Sequence, residues 1–321
     1  MTEDFDIIPR ESRENRSPVV CIGHNVALES WCIPYVYSHA HHMMLGFKKS
    51  KLTIDEIEGL KLWSSMAVLL NPDFHSAWNQ RKDLIMAGHL SPFSDLQISQ
   101  LSLSRKPKSA ETFSHRRWLL TRVIHQDCTT MERLLRQELE LCGKYAQREA
   151  NNIHAWSHRI WSVQHLDPNI PISLLCCELA SVRQWVAMHV SDHSAMHYME
   201  HLLTALQQRS EQESHDTAIN LRQVLRSPHG DHIQLSSANI FIELLVEELQ
   251  SNEELIRTYP CHEALWNHRR YFLFHLLHGT KEREPVNTGA LLKHEMELSA
   301  GMQESDLRHS NAHRRWCQRF L

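Results

Sequence analysis

Histidine, arginine and tryptophan side chains occur close together in the stretch NNIHAWSHRIW, residues 151–161. Histidine can transfer protons or bind a metal, and arginine can hold a phosphate or a carboxylate. The stretch could therefore belong to an active site, or it could be a structural motif that stabilises the fold. The number of copies separates the two interpretations, because a catalytic group of residues is not normally repeated several times along one chain.

The motif is repeated. Related segments read FHSAWNQRKD (74–83), SAETFSHRRW (109–118), HEALWNHRRY (262–271) and HSNAHRRW (309–316), and a weaker copy begins at Asp192. Successive copies are 35, 43, 40, 70 and 45 residues apart, which is typical of a repeat protein. We therefore interpret the motif as structural: its aromatic residue fills the gap to the preceding helix, and its arginine bonds carbonyls or an acidic side chain of a neighbouring helix. The residues assigned to this role are Trp78, Arg81, Phe113, Arg116, Trp156, Arg159, Trp266, Arg269 and Arg314.

The segments between the copies have the apolar periodicity of helices. One of them opens with Thr53 three residues before Glu56, which is the spacing of a capping box, and ends at Asn71-Pro72. Each unit is thus a helix, a short loop and a motif-bearing helix, and stacked units of this kind form an α-solenoid. We predict an all-α chain with an N-terminal cap over residues 1–52, about six helical hairpins over 53–321, and a polar insertion at 207–235.

Composition excludes several classes of protein. Charged residues make up 22% of the chain and the formal net charge is −4, so an extended basic surface for nucleic acid is not expected. No apolar run is long enough for a transmembrane helix, and the N-terminus lacks the apolar core of a signal peptide. The eight cysteines form no CxxC pair, and the histidines of SHAHHMM (38–44) lack a second spaced pair, so no metal site is expected. These features predict a cytoplasmic protein.

The motif resembles the repeat of the protein prenyltransferase α-subunit family, the α subunits of farnesyl- and geranylgeranyltransferases. The resemblance covers about residues 53–321 and rests on Trp-x-His-Arg recurring at the expected period. It implies a right-handed, crescent-shaped α-solenoid that wraps a separate β subunit. That β subunit would hold the zinc ion and the geranylgeranyl diphosphate, so this chain would carry no cofactor. The implied partners are the β subunit of Rab geranylgeranyltransferase and an acceptor protein with a C-terminal cysteine.

The resemblance also assigns three site residues. Lys108 lies five residues before the aromatic residue of the second repeat, where the family has a catalytic lysine that reaches the isoprenoid diphosphate. An ammonium group beside a helix N-terminus suits such an anion. The alternative is that Lys108 belongs to a solvated basic loop and has no such role. Glu111 replaces a glutamine that binds the acceptor's terminal carboxylate in farnesyltransferase, and as an anion it would repel that group. His154 either faces the substrate site or forms a hydrogen bond at a helix start.

The expected function is therefore that of the α subunit of a heterodimeric protein geranylgeranyltransferase. This subunit would shape the acceptor site, contact the diphosphate through Lys108 and be inactive alone. The alternative is a non-catalytic, peptide-binding α-solenoid.

Overall fold

The computed structural model describes residues 2, 4–9, 17–46, 52–124, 129–166, 170–212, 240–278, 287–302 and 306–321. The chain divides into two compact units, residues 1–168 and 169–321. Most of the predicted insertion at 207–235 lies outside the described residues, and only 207–212 are seen, at the end of a helix.

The N-terminal segment forms a small sheet, which the sequence analysis did not predict. Its strands are β1 (Asp4–Ile8), β2 (Val19–Ile22) and β3 (Asn25–Glu29), in the order β1-β3-β2. β1 runs parallel to β3 and β2 runs antiparallel to it. A single 3-10 turn (Ser30–Cys32) leads into helix α1 (Ile33–Gly46).

Helices α2 to α13 pair into six hairpins within the described residues. They are α2 (Ile54–Leu70) with α3 (His75–Met86), α4 (Pro92–Arg105) with α5 (Ala110–Val123), α6 (Thr129–Arg148) with α7 (Ile153–His165), α8 (Ile172–Met188) with α9 (His193–Gln212), α10 (Ile240–Thr258) with α11 (Glu263–His278), and α12 (Thr288–Ala300) with α13 (Leu307–Cys317). The prediction of stacked helical hairpins is confirmed. The hand and the crescent shape stay predictions.

Helix α2 begins at the predicted capping box. The Thr53 side chain accepts a hydrogen bond from the Glu56 amide at 3.3 Å, and the Glu56 carboxylate accepts one from the Thr53 amide at 2.7 Å. Both halves of the capping box are therefore formed.

The N-terminal segment covers the first hairpin. Ala40 and Met44 of α1 pack with Ala67 and Val68 of α2 and with Trp78 of α3 in one apolar cluster. This packing buries an apolar face that would otherwise be open to water, as the first repeat of a solenoid requires.

Strand β1 is fixed to the second hairpin. The Phe5 amide donates to the Ser104 hydroxyl at 3.0 Å, and this hydroxyl donates to the Phe5 carbonyl at 3.1 Å. The cap is thus tied to α4 by main-chain groups as well as by its apolar residues.

The repeated aromatic residues lie in the core. Trp78, Phe113, Trp156 and Trp266 are all buried. The indole of Trp78 donates to the Pro72 carbonyl at 2.8 Å, and that of Trp266 donates to the Asp306 carboxylate at 2.9 Å. These two indoles therefore fill core space and satisfy their polar nitrogen.

The repeated arginines join neighbouring hairpins through buried carboxylates. Arg116 on α5 donates through Nε and Nη2 to both oxygens of Glu138 on α6, at 2.6 and 2.7 Å. His158 on α7 donates to Glu138 from the other side at 2.9 Å. Its other nitrogen, Nδ1, accepts from Arg117 at 3.3 Å, so the ring is neutral. Arginine, acid and histidine form one hydrogen-bonded group, which we call a triad.

Two further triads have the same form. Asp95 on α4 pairs with Arg81 and with His115, the latter at 2.5 Å. Glu295 on α12 pairs with Arg269 at 2.7 Å and with His313 at 3.0 Å. All of these side chains are buried.

Within the triads, the sequence spacing from the acid to the histidine is nearly constant, whereas the spacing from the arginine to the acid varies. The histidine follows its acid by 20 residues in the first two triads and by 18 in the last. Each arginine also bonds a carbonyl 20 residues before it, as Arg159 does with Leu139 at 2.9 Å. By contrast, the acid follows its arginine by 14, 22 or 26 residues.

The fourth hairpin lacks the motif arginine, because Met199 stands in its place. The buried acid Glu248 on α10 instead pairs with Arg183 on α8. Burial raises the pKa of Glu248 more than the charge of Arg183 lowers it. Arg183 therefore stabilises the ionised form of Glu248 less than the arginine and histidine of each triad stabilise that of their acid.

Arg314 differs from the other motif arginines, because its side chain is exposed. None of the hydrogen bonds or ion pairs among the described residues involves its guanidinium group. The role between repeats therefore stays a prediction for this residue.

Candidate functional site

The predicted site residues all lie where helices α3, α5 and α7 begin. Ser109 is the N-cap of α5 and accepts from the Thr112 amide at 3.2 Å. Its hydroxyl lies 2.7 Å from the Asp73 carboxylate and 3.2 Å from the Pro72 carbonyl, both in the turn before α3. The start of α5 is thus bonded directly to the turn of the preceding hairpin.

The next turn is held in the same way. Asn152 is the N-cap of α7 and accepts from the Ala155 amide at 3.1 Å. Its side-chain amide donates to the Pro107 carbonyl at 2.8 Å. Lys108 follows Pro107 directly and precedes the Ser109 cap. The lysine therefore stands on a turn whose two flanking residues are both fixed by neighbouring hairpins.

Lys108 and Lys106 have different surroundings on this turn. Lys106 forms an ion pair with Asp73. The Lys108 side chain is exposed, and no hydrogen bond or ion pair within the described chain involves its ammonium group. Of these two lysines, Lys108 is therefore the one whose charge has no partner among the described residues, and it lies beside the N-terminus of α5, where free amide groups add partial positive charge.

The carboxylate of Asp73 is ionised at this place. Burial alone would raise the pKa of Asp73, but hydrogen bonds from Lys106 and Ser109 and the charges of Lys106 and His154 lower it overall. Asp73 therefore holds Lys106 in place and leaves the ammonium group of Lys108 without a carboxylate partner among the described residues.

Glu111 occupies the second position of α5 and is half-buried. Its carboxylate lies 2.7 Å from Nδ1 of His75, the first residue of α3. This pair places an anionic side chain beside the turn that carries Lys108, and His75 covers part of its charge.

His154 is the second residue of α7 and is also half-buried. Its charge acts on Asp73, so the imidazole and that carboxylate share one electrostatic environment. The structure therefore brings Lys108, Glu111 and His154 to one set of helix starts. Lys106, Asp73 and His75 belong to the same group, and the sequence analysis gave none of them a role at this site.

A cavity of about 630 Å³ lies between α4 and α6, apart from these helix starts. Apolar and polar side chains both line it, among them Phe93, Gln97, Gln100, Arg133 and Tyr145. Its lining also includes Arg116 and Glu138, which form a triad with His158. Such a groove can accept a peptide, because its amides can bond a main chain.

Neither a metal site nor a membrane span appears in the described part of the chain. No group of three or more His, Cys, Asp or Glu side chains is placed to hold a metal ion there. The histidines of residues 38–44 pack with aromatic rings instead: His39 contacts Trp63 edge-on and His41 stacks on Phe74. None of the described helices is long and apolar enough to cross a lipid bilayer.

Comparison with known proteins gives two levels of similarity. The family profile described as protein prenyltransferase alpha subunit repeat matches residues 135–166 and 245–276, which overlap α6–α7 and α10–α11. The chain is 36% identical to the human protein prenyltransferase alpha subunit repeat-containing protein 1, over 94% of this chain and 78% of the human protein. It is 38% identical to the 1-B form of Xenopus laevis, over 90% of this chain and 72% of that protein.

A more distant relative is the geranylgeranyl transferase type-2 subunit alpha of Saccharomyces cerevisiae. The identity is 27%, over 55% of this chain and 54% of the yeast protein. The repeat profile, the high coverage of the first relatives and the stacked hairpins agree with one another. On these grounds, the chain belongs to the protein prenyltransferase alpha-subunit repeat family.

Proposed function

We propose that this chain is the α subunit of a heterodimeric protein geranylgeranyltransferase. In this role it binds a β subunit and helps transfer a geranylgeranyl group from its diphosphate to a cysteine near the C-terminus of an acceptor protein. Membership in the family supports the coarser role of a prenyltransferase component. The similarity to a type-2 geranylgeranyl transferase subunit supports the choice of lipid.

The observation that carries the proposal is the position of Lys108. Its ammonium group is exposed at the N-terminus of α5, and its turn is fixed on one side by Asn152 and on the other by Ser109. A diphosphate leaving group gains negative charge as its bond to the lipid breaks. A positioned cation stabilises that charge more than it stabilises the bound substrate, which accelerates the reaction.

The family uses a zinc ion, and the described residues offer no cluster of thiol, imidazole and carboxylate ligands for it. We therefore assign zinc and the lipid pocket to the β subunit, for which that of Rab geranylgeranyltransferase is the first candidate. The chain alone would then have no transferase activity.

A reconstitution experiment tests the proposal. The chain is co-expressed with the β subunit of Rab geranylgeranyltransferase, and lipid transfer to candidate acceptors is followed by mass spectrometry. Lys108→Ala should leave the complex assembled and lower kcat about tenfold or more, since a lost transition-state contact acts on kcat. Lys108→Arg should recover part of the rate, because it keeps the charge.

Lys293→Ala is the matched control, because it removes an equally exposed charge from α12. Its rate should equal that of the wild type. The proposal fails if no β subunit forms a stable complex. If the complex forms and Lys108→Ala transfers lipid at the wild-type rate, the diphosphate role of the lysine is refuted.

The cavity between α4 and α6 favours a second function, that of a non-catalytic, peptide-binding solenoid. This candidate predicts that Lys108→Ala leaves every binding property unchanged. It also predicts that Phe93→Ala weakens a bound peptide. A lipid-transfer assay that is positive only with the β subunit present decides against it.

A further inference from the structure

A charged side chain of one motif copy acts on the histidine of the next copy. For the triad histidines this side chain is a cation, four residues after the aromatic position of the earlier copy. Arg117 donates to Nδ1 of His158 at 3.3 Å. The equivalent pairs are Lys82 with His115 and Arg270 with His313. A cation at this place disfavours a second proton on the ring, because like charges repel.

Between the fourth and fifth copies the charge is reversed. Glu200 takes the position of the cations, four residues after Met196. Its carboxylate lies 2.8 Å from Nδ1 of His268, which is 3% exposed. An ionised carboxylate only accepts hydrogen bonds, so Nδ1 of His268 carries a proton. In His158, by contrast, the proton is on Nε2.

The His268 ring also acts on a buried acid. Glu248 precedes His268 by 20 residues, as the acids of the first two triads precede their histidines. The charge of the ring acts on the Glu248 carboxylate. Nε2 is buried and has no hydrogen-bond partner among the described residues. Since Met199 stands in place of the motif arginine, a second proton on His268 would replace the positive charge that this arginine brings to each triad.

Other titratable groups lie close to this site. They are His197 and His201 on α9, Glu247 on α10, Arg183 on α8, and Tyr271 and His275 on α11. Arg183 pairs with Glu248, and Arg269, next to the ring, pairs with Glu295 on α12. Burial lowers the pKa of His201 and His275, which favours their neutral forms. His197 is exposed and contacts the other oxygen of Glu200 at 3.4 Å, so its charge needs a separate control.

We propose that His268 is a proton-operated clamp between the fourth and fifth hairpins. In mildly acid solution Nε2 takes a proton from the solvent, and the resulting imidazolium ion lies between the carboxylates of Glu200 and Glu248. Charge-assisted hydrogen bonds then tighten this contact. The folded chain holds a proton that the unfolded chain releases, so the contact becomes more stable as pH falls. The proposal does not depend on transferase activity.

NMR of the ring nitrogens in the full chain tests the protonation directly. Histidine labelled with nitrogen-15 gives a signal for each ring nitrogen, and the signals that His268→Gln removes belong to His268. At pH 7.5 they should show a neutral ring protonated at Nδ1, and at pH 5.5 a ring protonated at both nitrogens. A ring that stays neutral at pH 5.5, or that carries its single proton on Nε2, would overturn the proposal.

Amide hydrogen exchange then compares the contacts between hairpins. After correction for the intrinsic effect of pH on exchange, the protection of α10 and α11 should rise between pH 7.5 and pH 5.5. One proton can contribute at most about tenfold per pH unit. The protection of α5 and α7 should fall over the same range, because a second proton on His115 or His158 meets a cation. A fall in α10 and α11 as large as that in α5 and α7 would contradict the proposal.

Three variants identify the group that holds the proton. His268→Gln should remove the rise in α10 and α11. His197→Gln is the matched control and should keep the rise, since it removes an exposed histidine from the same Glu200. Glu200→Gln should reduce the rise, because its neutral amide accepts from Nδ1 without favouring a charged ring. If His268→Gln keeps the rise, another group such as Glu248 holds the proton, and if His197→Gln removes it, His197 does; either result means that the proposal is wrong.

Discussion

At the scale of single residues, the buried carboxylates decide how the hairpins join. Glu138 is almost fully buried and receives three hydrogen bonds, two from Arg116 and one from His158. Burial would raise the pKa of Glu138, but the charge of Arg116 and the hydrogen bonds lower it to about 2. The acid is therefore ionised, and its main role is to neutralise Arg116 rather than to add net stability.

Glu138→Gln should destabilise residues 1–168 by about 3–5 kcal/mol, because it leaves the Arg116 charge buried and unpaired. Urea unfolding followed by fluorescence measures this loss. Glu140→Gln is the control on the same helix, since Glu140 is exposed, and should cost less than about 0.5 kcal/mol. The double variant Arg116→Met with Glu138→Leu should recover most of the stability. If Glu138→Gln unfolds at the wild-type urea concentration, the triad does not have this role.

Sequence patterns identified only two of the three triad members. The arginine and histidine columns were visible because they lie at fixed positions next to an aromatic residue. The acids were missed because their helices carry several glutamates; α6 has Glu132, Glu138 and Glu140. The fold decides which of these faces inward. A search for an acid 20 residues before each motif histidine would have found Asp95 and Glu138.

At the scale of helices, the N-caps also hold the turns of the preceding hairpin. Asn152 caps α7 and at the same time bonds Pro107, whose neighbour is Lys108. Asn152→Ala should therefore lower stability by about 1–2 kcal/mol, and in the reconstituted enzyme it should lower kcat by loosening the lysine. Asn151→Gly is the control, because Asn151 has a φ of 54° that glycine adopts freely. It should be neutral or slightly stabilising, and a loss as large as that of Asn152→Ala would contradict the capping role.

The fourth and fifth hairpins are joined by the Arg183–Glu248 pair. Its effect on stability should change with pH in the opposite direction to that of Glu138, because the pKa of Glu248 is raised whereas that of Glu138 is lowered. The pKa of Glu248 is raised in the folded chain, so this group stabilises the fold at low pH and loses that contribution as pH rises through the raised value. Arg183→Met removes the guanidinium group that pairs with Glu248 and should cost about 2 kcal/mol at pH 8 and less at pH 5.

Arg257→Met is the matched control for this prediction. It breaks an exposed pair with Glu253 one turn away and should cost less than about 0.5 kcal/mol at either pH. Unfolding midpoints in urea at the two pH values measure both variants. A loss for Arg183→Met that is greater at pH 5 than at pH 8 would show that the acid is not the affected group.

At the scale of the whole molecule, the buried histidines make the fold sensitive to acid. Burial lowers the pKa of His115, His158 and His313, and their carboxylate partners only partly oppose this effect. A lowered pKa means that the unfolded chain binds more protons. Stability should therefore be complete above the ordinary pKa of 6.5 and should fall as pH drops from there toward the lowered values.

The free energy of unfolding should thus be lower at pH 5.5 than at pH 7.5, by up to about 1.4 kcal/mol per pH unit for each neutral histidine. His158→Gln tests the cause, because glutamine can still donate to Glu138 but cannot bind a proton in this range. Its loss of stability between the two pH values should be smaller than that of the wild type. An equal loss would assign the effect to other groups.

The N-terminal sheet is the part of the fold that could not be predicted from the sequence. Its strands are only four or five residues long and carry no repeat. β1 pairs with a strand some twenty residues away and is held by Ser104, 99 residues away from Phe5. Contacts so distant along the chain leave no local periodicity, whereas the hairpins are predictable because each one repeats its own pattern.

The unequal spacings within the triads have a consequence for changes in chain length. An acid and its histidine are held 18 or 20 residues apart, whereas an arginine and the next acid lie anywhere from 14 to 26 residues apart. A residue inserted between the two helices of a hairpin would turn the histidine away from its carboxylate by about 100°, or would have to be absorbed in the bend. Residues added to the connector between hairpins displace neither partner. Inserted residues or a foreign loop should therefore be tolerated in the connectors between hairpins and should disrupt the fold in the turns within a hairpin.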